Sequence, residues 1–375
     1  MKIGIDGRAA KWYRGTGIGT YTYQLIKSLN NIDLLNDYLI FMPEDYHKEL
    51  SLKENFNVKA ITKNMVNNFW DEVNIPNILE NKEVELYHIP QNGVGLPPKK
   101  NCHFVITLHD VIPYKMPETV GERYLNIFLN EMPSIVSRCD GIITVSNYSK
   151  EDIAKAFNFP KEKIYVTHLA SEEIYKPLNI DFCKNFIKEN YGINEDFILY
   201  IGGFSPRKNI LGLIEAFSNI VNKNKKNIKL VIAGSKGISY EMYKNRTINL
   251  KVEEDVLFPG FIPLNHLPLF YNAAELFVYP SFYEGFGLPP LEAMSCGTPV
   301  IASNITSIPE ILDNGAILIN PSNSEELYDA IIKVLEDKNF KNDLILKGLV
   351  RSSEFNWNKT AKETLLSYNK IINNF

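Results

Sequence analysis

The stretch Leu276-Phe-Val-Tyr-Pro-Ser-Phe-Tyr-Glu-Gly-Phe-Gly-Leu-Pro-Pro-Leu-Glu-Ala-Met-Ser-Cys-Gly297 reads as a strand, a glycine loop and a helix in direct succession. A short apolar run closed by Pro280-Ser281 has the signature of a buried strand. Pro289 and Pro290 favour a helix start and Gly297 a stop, which puts Glu284 in the loop and Glu292 in the first turn of the helix. Both carboxylates are then expected to border one cavity. Gly285 and Gly287 let backbone approach a ligand, and the helix's first N–H groups offer a seat for phosphate. Carboxylates beside such a seat can accept hydrogen bonds from sugar hydroxyls. Taken alone, Glu292 equally suits the positive end of any helix, and Glu284 a solvated loop. The glycines, the double proline and the aromatic residues around the pair favour a site.

The same strand-then-helix alternation extends in both directions. Strands are predicted at Lys2–Asp6, Tyr38–Met42, Glu85–Ile89, Phe104–Leu108, Gly141–Val145 and Ile164–His168, with helical periods at Ile18–Leu29 and Glu122–Ser137. After Tyr175-Lys176-Pro177 the pattern restarts. Strands are predicted at Phe197–Gly202, Lys229–Ala233, Val256–Phe258, Leu276–Tyr279, Pro299–Ala302 and Ala316–Ile319, with helices at Asn209–Val221 and Glu325–Leu335. The fold class is therefore α/β, with two doubly wound, Rossmann-like domains facing across a cleft. Domain boundaries are placed at 1–178 and 179–358, with a last helix at about 359–375 returning to the first domain.

Composition narrows the function. The 375 residues suffice for two domains, and 40 basic against 44 acidic side chains leave a net charge of −4. No basic footprint for nucleic acid is present. The four cysteines, Cys102, Cys139, Cys183 and Cys296, form no Cys-x-x-Cys pair, so neither a zinc site nor a disulfide framework is indicated, and a reducing compartment fits. The chain starts directly on a strand, and no apolar run approaches the roughly 20 residues of a membrane span. The expectation is a cytoplasmic protein without signal peptide or transmembrane helix, with peripheral contact at the inner face of the plasma membrane left open. No metal site is expected, because no second His or Cys stands at ligand spacing and no Asp-x-Asp pair occurs.

Three further segments follow predicted strands. Tyr200-Ile-Gly-Gly-Phe-Ser-Pro-Arg-Lys-Asn209 places Arg207 and Lys208 at a carboxyl end, before a helix that Asn209 can cap. Two cations there suit a diphosphate, Arg through its planar fork and Lys as a point charge. Gly15-Thr-Gly-Ile-Gly19 follows the first strand and permits close approach of a phosphate, although it is not the complete dinucleotide fingerprint. His109-Asp110 stands beyond Phe104–Leu108, where the His can meet a sugar hydroxyl and the Asp can orient it.

Together these segments resemble the retaining GT-B glycosyltransferases of family 4. The most specific match is Glu284-Gly-Phe-Gly-Leu-Pro-Pro-Leu-Glu292, similar to that family's Glu, seven residues, Glu motif. Supporting it are Ile-Gly-Ile-Asp-Gly-Arg at the start, Gly17-Ile-Gly-Thr-Tyr21, Leu108-His-Asp110, Pro206-Arg-Lys-Asn209 and Ser303-Asn-Ile-Thr-Ser-Ile-Pro-Glu310. The resemblance implies a hexosyltransferase in which Glu284 binds donor-sugar hydroxyls, Glu292 the ribose, and Arg207 with Lys208 the diphosphate. By the same resemblance Gly285, Phe286, Gly287 and Leu288 form the donor loop, Phe261 and Ile262 line the base, His109 approaches the donor sugar, and Gly17 lies near the phosphates. The sequence departs from some relatives at Gly202-Gly203-Phe204, where they carry an additional Arg.

The family's retention of configuration is ascribed to front-face attack, with a donor phosphate oxygen taking the acceptor's proton. No protein nucleophile, cofactor or essential divalent metal is then required. The partners implied are a nucleotide-sugar donor and a glycan or lipid-linked saccharide acceptor, with no nucleic acid. Acceptor walls are expected at Trp12, Tyr13 and Arg14 with Asp110, and at Phe69 and Trp70. The motifs look most like bacterial mannosyltransferases of surface-polysaccharide assembly, which points first to GDP-mannose. A UDP- or dTDP-sugar donor remains an alternative, as does a catalytically silent nucleotide- or glycan-binding partner protein.

Overall fold

The computed structural model describes residues 1–43, 50–62, 84–224, 227–235, 237 and 239–373. They divide into two units, Met1–Leu169 with Asn356–Phe375, and Ala170–Phe355.

The first unit runs β1 (Lys2–Asp6), α1 (Arg8–Trp12), α2 (Gly17–Ile32), β2 (Asp37–Pro43), β3 (Phe56–Thr62), β4 (Leu86–Ile89), β5 (His103–Thr107), α3 (Ile112–Lys115), α4 (Glu122–Arg138), β6 (Gly141–Thr144), α5 (Asn147–Phe157) and β7 (Ile164–Val166). Its strands make one parallel sheet in the order β3-β2-β1-β4-β5-β6-β7. The chain winds one way from β1 to β2 and β3, then crosses back to β4, so the switch point lies between β1 and β4. Apolar side chains cover the sheet, with Tyr87, Phe104, Ile106, Phe128, Met132 and Ile142 in one cluster. The edge strand β3 was not among those expected.

The second unit runs α6 (Ile180–Tyr191), β8 (Phe197–Ile201), α7 (Ile210–Asn224), β9 (Lys229–Ala233), α8 (Tyr240–Asn249), β10 (Val256–Gly260), α9 (Leu267–Ala273), β11 (Leu276–Tyr279), α10 (Leu288–Ser295), β12 (Val300–Ser303), α11 (Ile308–Leu312), β13 (Ile317–Ile319), α12 (Ser324–Glu336) and α13 (Lys338–Ser353). The parallel sheet has the order β10-β9-β8-β11-β12-β13, so its switch point lies between β8 and β11. The division falls at Leu169 rather than at 178. Tyr175-Lys176-Pro177 belongs to the second unit because Asn272 clamps it, donating to Lys176 O at 3.0 Å and accepting from Leu178 N at 2.7 Å, while the Tyr175 ring lies 5.7 Å from that of Tyr271.

The last helix, α14 (Trp357–Asn373), completes the first unit. Trp357, Ala361, Thr364, Tyr368 and Ile371 form a buried stripe at helical spacing. Thr360 Oγ1 donates to His168 O at 2.6 Å, and the Tyr368 hydroxyl reaches His88 Nδ1 on β4 at 2.6 Å. Among the described residues no helix is long and apolar enough to cross a membrane.

Candidate active site

The two central strands of the second sheet deliver the charged groups. Beyond β8, Pro206–Lys208 make a single 3-10 turn, closed by Asn209 in the left-handed region at φ 55°. Asn209 donates its side-chain amide N–H to Pro321 O at 2.7 Å, which fixes the turn before α7. Beyond β11, the chain runs through Pro280 to Glu284, and Phe282 N donates to Arg207 O at 2.7 Å, tying the two loops together.

Glu284 is the centre of the cluster and only 7% exposed. Its Oε1 accepts from Lys208 Nζ at 2.5 Å and from Arg207 Nη1 at 3.1 Å. Both of these hydrogen bonds fall on the same carboxylate oxygen. Arg207 Nη1 also donates to Tyr283 O at 2.9 Å, and Lys208 Nζ to the Tyr279 hydroxyl at 2.6 Å. Burial pushes the Glu284 carboxyl up, but the neighbouring Lys208 and Arg207 charges outweigh it and hold the pKa at about 2. The carboxylate is therefore an anion throughout the neutral range. Thr306 and Ser307 brace its loop from outside, with Glu284 N donating to Thr306 Oγ1 at 3.3 Å and Ser307 Oγ donating to Glu284 O at 2.9 Å and Phe286 O at 3.2 Å. Sequence reasoning had singled out Ser303–Glu310 as a motif without assigning it this role, and had read Tyr279 only as strand.

The glycine loop explains where the helix begins. Gly287 adopts φ 105°, a conformation that L side chains rarely take, and a Cβ there would meet Ile308 Cδ1 at 2.7 Å. This turn starts α10 at Leu288, so Glu292 is its fifth residue and opens the second turn rather than lying in the first as expected. Pro289 and Pro290 fit because the first helical N–H groups lack intrahelical partners, but each also removes a donor. The anion seat at this helix start is thus reduced to backbone N–H groups of the loop and Leu288. Neither Gly287 N–H nor Leu288 N–H meets a protein acceptor among the described residues. Phe286 and Leu288 are buried, at 4% and 8% exposure, while Gly285 joins them to Glu284.

Glu292 has different neighbours from Glu284. Its Oε2 accepts from the Tyr271 hydroxyl at 2.9 Å, and burial with that carboxylate nearby pushes the phenols of Tyr271 and Tyr175 well up. At the end of β10, Gly260 turns with φ 83°, leaving Phe261 exposed at 66% and Ile262 buried at 3%.

In the first unit, His109 follows β5 and is buried against the edge of Tyr21, with ring centroids 4.9 Å apart. Its Nε2 lies 3.0 Å from Pro90 O, and a carbonyl only accepts, so Nε2 carries the proton and Nδ1 the lone pair. Burial pushes its pKa down to about 4, the Pro90 bond opposing, and the ring is neutral at pH 7. Asp110 Oδ1 accepts from Ile112 N at 3.0 Å and so shapes the entry to α3. Trp12 ends α1, and Tyr13 closes it. Arg14 donates to Thr20 Oγ1 at 3.1 Å, its guanidinium 4.4 Å from the Tyr23 ring centroid. Gly17 opens α2 in free space, whereas a Cβ on Gly19 would lie 1.9 Å from Tyr13 O, so Gly19 serves the packing of this turn. Phe69 and Trp70 lie outside the described residues. Among the described residues no group of three or more His, Cys, Asp or Glu side chains could hold a metal ion.

Comparison with known proteins places this geometry in a family. Residues 184–349 match the glycosyl transferases group 1, and residues 15–170 match Glycosyltransferase Family 4. The chain is 31% identical over 283 residues to O-antigen chain mannosyltransferase B of Escherichia coli, covering 76% of this chain and 74% of that one. It is 35% identical over 236 residues to O-antigen chain mannosyltransferase RfbU of Salmonella typhimurium, covering 62% and 60%. Among solved structures, sucrose-phosphate synthase from Thermosynechococcus elongatus superposes with a TM-score of 0.77 at 21% identity over all of both chains. Anabaena HepE, in complex with UDP and glucose, does so with a TM-score of 0.74 at 18% identity, covering 99% and 100%. Two doubly wound sheets and matches to the family along both units lead to one assignment: the chain belongs to the GT-B glycosyltransferases of family 4.

Proposed function

We propose that the protein transfers a mannosyl residue from GDP-mannose, with retention of configuration, to a hydroxyl of a glycan or lipid-linked saccharide in the assembly of a cell-surface polysaccharide. The observation that carries this reading is the buried cluster of Glu284, Lys208 and Arg207 at the β8/β11 switch point. Two cations against one carboxylate leave a net positive charge where a leaving diphosphate gains negative charge. Glu284 Oε2 is the acceptor for a donor-sugar hydroxyl. Phe261 and Ile262 line the base, and Glu292, oriented by Tyr271, takes the ribose hydroxyls. The mannosyl donor rests on the relatives' names, which are those of O-antigen chain mannosyltransferases.

In this mechanism no protein group attacks the sugar. Arg207, Lys208 and the Gly287 and Leu288 N–H groups stabilise the departing nucleoside diphosphate, the acceptor hydroxyl enters on the same face, and a donor phosphate oxygen takes its proton. Neutral His109 accepts at Nδ1 and orients a sugar hydroxyl rather than supplying a proton. Divalent metal is not needed for this charge balance.

Thermal unfolding with GDP, UDP, ADP and dTDP, each without and then with magnesium, tests the donor. A ligand at 100 times its dissociation constant stabilises the native state by about 2.7 kcal/mol, which is visible as a raised midpoint. A shift with GDP alone, independent of magnesium, is expected. A selective shift with UDP or dTDP replaces the mannosyl donor, and no shift with any nucleotide makes a silent binding partner the better reading. Lys208→Ala is expected to lower transfer at least a hundredfold, and wild-type-like turnover in that variant overturns the mechanism.

A further inference from the structure

The switch point of the first sheet holds a side chain that the mechanism above does not use. Gln91 follows β4, next to the end of β1 and on the side of the sheet end where β5 delivers His109. It is 3% exposed, and neither its Nε2 nor its Oε1 has a hydrogen-bond partner among the described residues. Its two neighbours are both bonded to His109: Pro90 O accepts from Nε2, and Asn92 Oδ1 accepts from the His109 backbone N, each at 3.0 Å. Asn92 also donates its backbone N–H to Thr107 O at 3.0 Å and its side-chain amide to the Tyr124 hydroxyl at 3.1 Å.

The turn that carries Gln91 is fixed in conformation. Asn92 and Gly93 follow with φ 52° and 71°, and a Cβ on Gly93 would meet Ile106 and Ile135 at 2.8 Å. Gln91 is thus held in place by the residues around it while its own amide bonds none of the described residues. A buried amide with donor and acceptor both unsatisfied is costly, and such a group is retained where something else completes its bonds. A primary amide offers N–H donors and a carbonyl acceptor side by side, without net charge. That pairing matches two adjacent ring hydroxyls, one accepting from Nε2 and its neighbour donating to Oε1. It does not match a phosphate, which has no proton for the carbonyl oxygen.

We infer that Gln91 is a specificity-determining residue that hydrogen-bonds two neighbouring hydroxyls of a hexose in the transfer reaction. This rests on the sugar-transfer reading above and adds to it a residue in the first unit. The hexose can be that of the donor or that of the acceptor, and kinetics separates them.

The test compares wild type with Gln91→Leu, using GDP-mannose and UDP-glucose as donors and p-nitrophenyl α-mannoside as acceptor. Initial rates, donor hydrolysis without acceptor, and GDP or UDP affinity are read together. Gln91→Leu is expected to melt at or above the wild-type midpoint, since it removes an unsatisfied amide, and to bind nucleotide unchanged. A KM raised tenfold or more for the acceptor alone assigns the diol to the acceptor. A raised donor KM with slowed hydrolysis assigns it to the donor. If both KM values stay within twofold of wild type, Gln91 meets only buried water or structure, and the proposal is overturned. Should Gln91→Leu fold poorly, Gln91→Met, which keeps the side-chain length, reads the same constants. If the wild type transfers from neither donor, the sugar-transfer reading fails first and the assignment of Gln91 falls with it.

Discussion

Acidification from pH 7 to pH 5 should unfold the first unit before the second, and the two buried histidines set the size of the effect. His88 sits on β4 with Nδ1 2.6 Å from the Tyr368 hydroxyl and Nε2 2.8 Å from Thr107 Oγ1, and Thr107 Oγ1 in turn meets the Tyr21 hydroxyl at 2.9 Å. Burial, with His109 nearby as a lesser cause, pushes the His88 pKa from 6.5 to about 3, and burial pushes that of His109 to about 4. A folded state that refuses protons which the unfolded chain accepts is fully stable above about pH 6.5 and loses stability as pH falls, until the folded-state values are reached. At pH 5 each histidine is 1.5 units below its unfolded value, which costs about 2 kcal/mol each and about 4 kcal/mol together. That is a large part of the 5–15 kcal/mol that holds a typical domain. The assay follows from the sequence: Trp12, Trp70 and Trp357 are the chain's three tryptophans, and all belong to the first unit. Urea titrations followed by tryptophan fluorescence at pH 7, 6 and 5 therefore report on that unit alone. The wild type should lose about 4 kcal/mol, and His88→Gln, although less stable at pH 7, should lose about half as much on acidification. Equal stability at pH 7 and pH 5, or an imidazole of His88 titrating near 6.5 by NMR, refutes the argument.

Two substitutions test the second unit. Gly287→Ala forces a Cβ into the left-handed region at φ 105° and against Ile308, so it should lower the thermal midpoint through about 1–3 kcal/mol of strain and weaken nucleotide binding; an unchanged melt would show that the loop relaxes freely. Tyr271→Phe deletes the hydroxyl that donates to Glu292, at about 1 kcal/mol in stability, and should raise the donor KM several-fold with kcat little altered; a change in kcat alone would take Glu292 out of donor binding.

Much of the fold was legible because buried parallel strands announce themselves. Lys2–Asp6, Lys229–Ala233 and Leu276–Tyr279 were read with their observed bounds, since each is a short apolar run between turn residues. The edge strand β3 escaped, its apolar positions being interrupted by Asn57 and Lys59, as suits a strand paired on one side only. Tyr175-Lys176-Pro177 looks like a linker in the sequence because its clamp by Asn272 comes from a residue nearly a hundred positions away. Glu292 was placed in the first turn rather than at the start of the second because the sequence shows the double proline but not the φ of Gly287 that lets the helix begin before it. The cations and Glu284 were legible as types at strand ends; that both cations converge on one oxygen of Glu284 was not, because it depends on β8 and β11 being neighbours in a sheet whose order no local pattern records.

That convergence bears on why the carboxylate is there at all. A buried ion cluster contributes little beyond what well-packed apolar residues would, because desolvation offsets the attraction between its charges. Fold stability therefore gives weak grounds for placing Glu284 against Lys208 and Arg207 at 7% exposure. Transfer gives stronger ones. In the proposed reaction, two cations that meet a diphosphate out of water have to be held, dry and aimed, before it arrives, and a carboxylate between them does this without cancelling their charge. Both bonds fall on Oε1, and in the proposed reaction Oε2 serves the sugar, so that one side chain aligns the leaving group's cations and the transferred ring together. Glu284→Gln separates these tasks: the amide can still meet a hydroxyl, but it no longer offsets the cations. It should therefore lose more in kcat than in donor affinity, whereas Lys208→Ala, which leaves the carboxylate in place, should lose both.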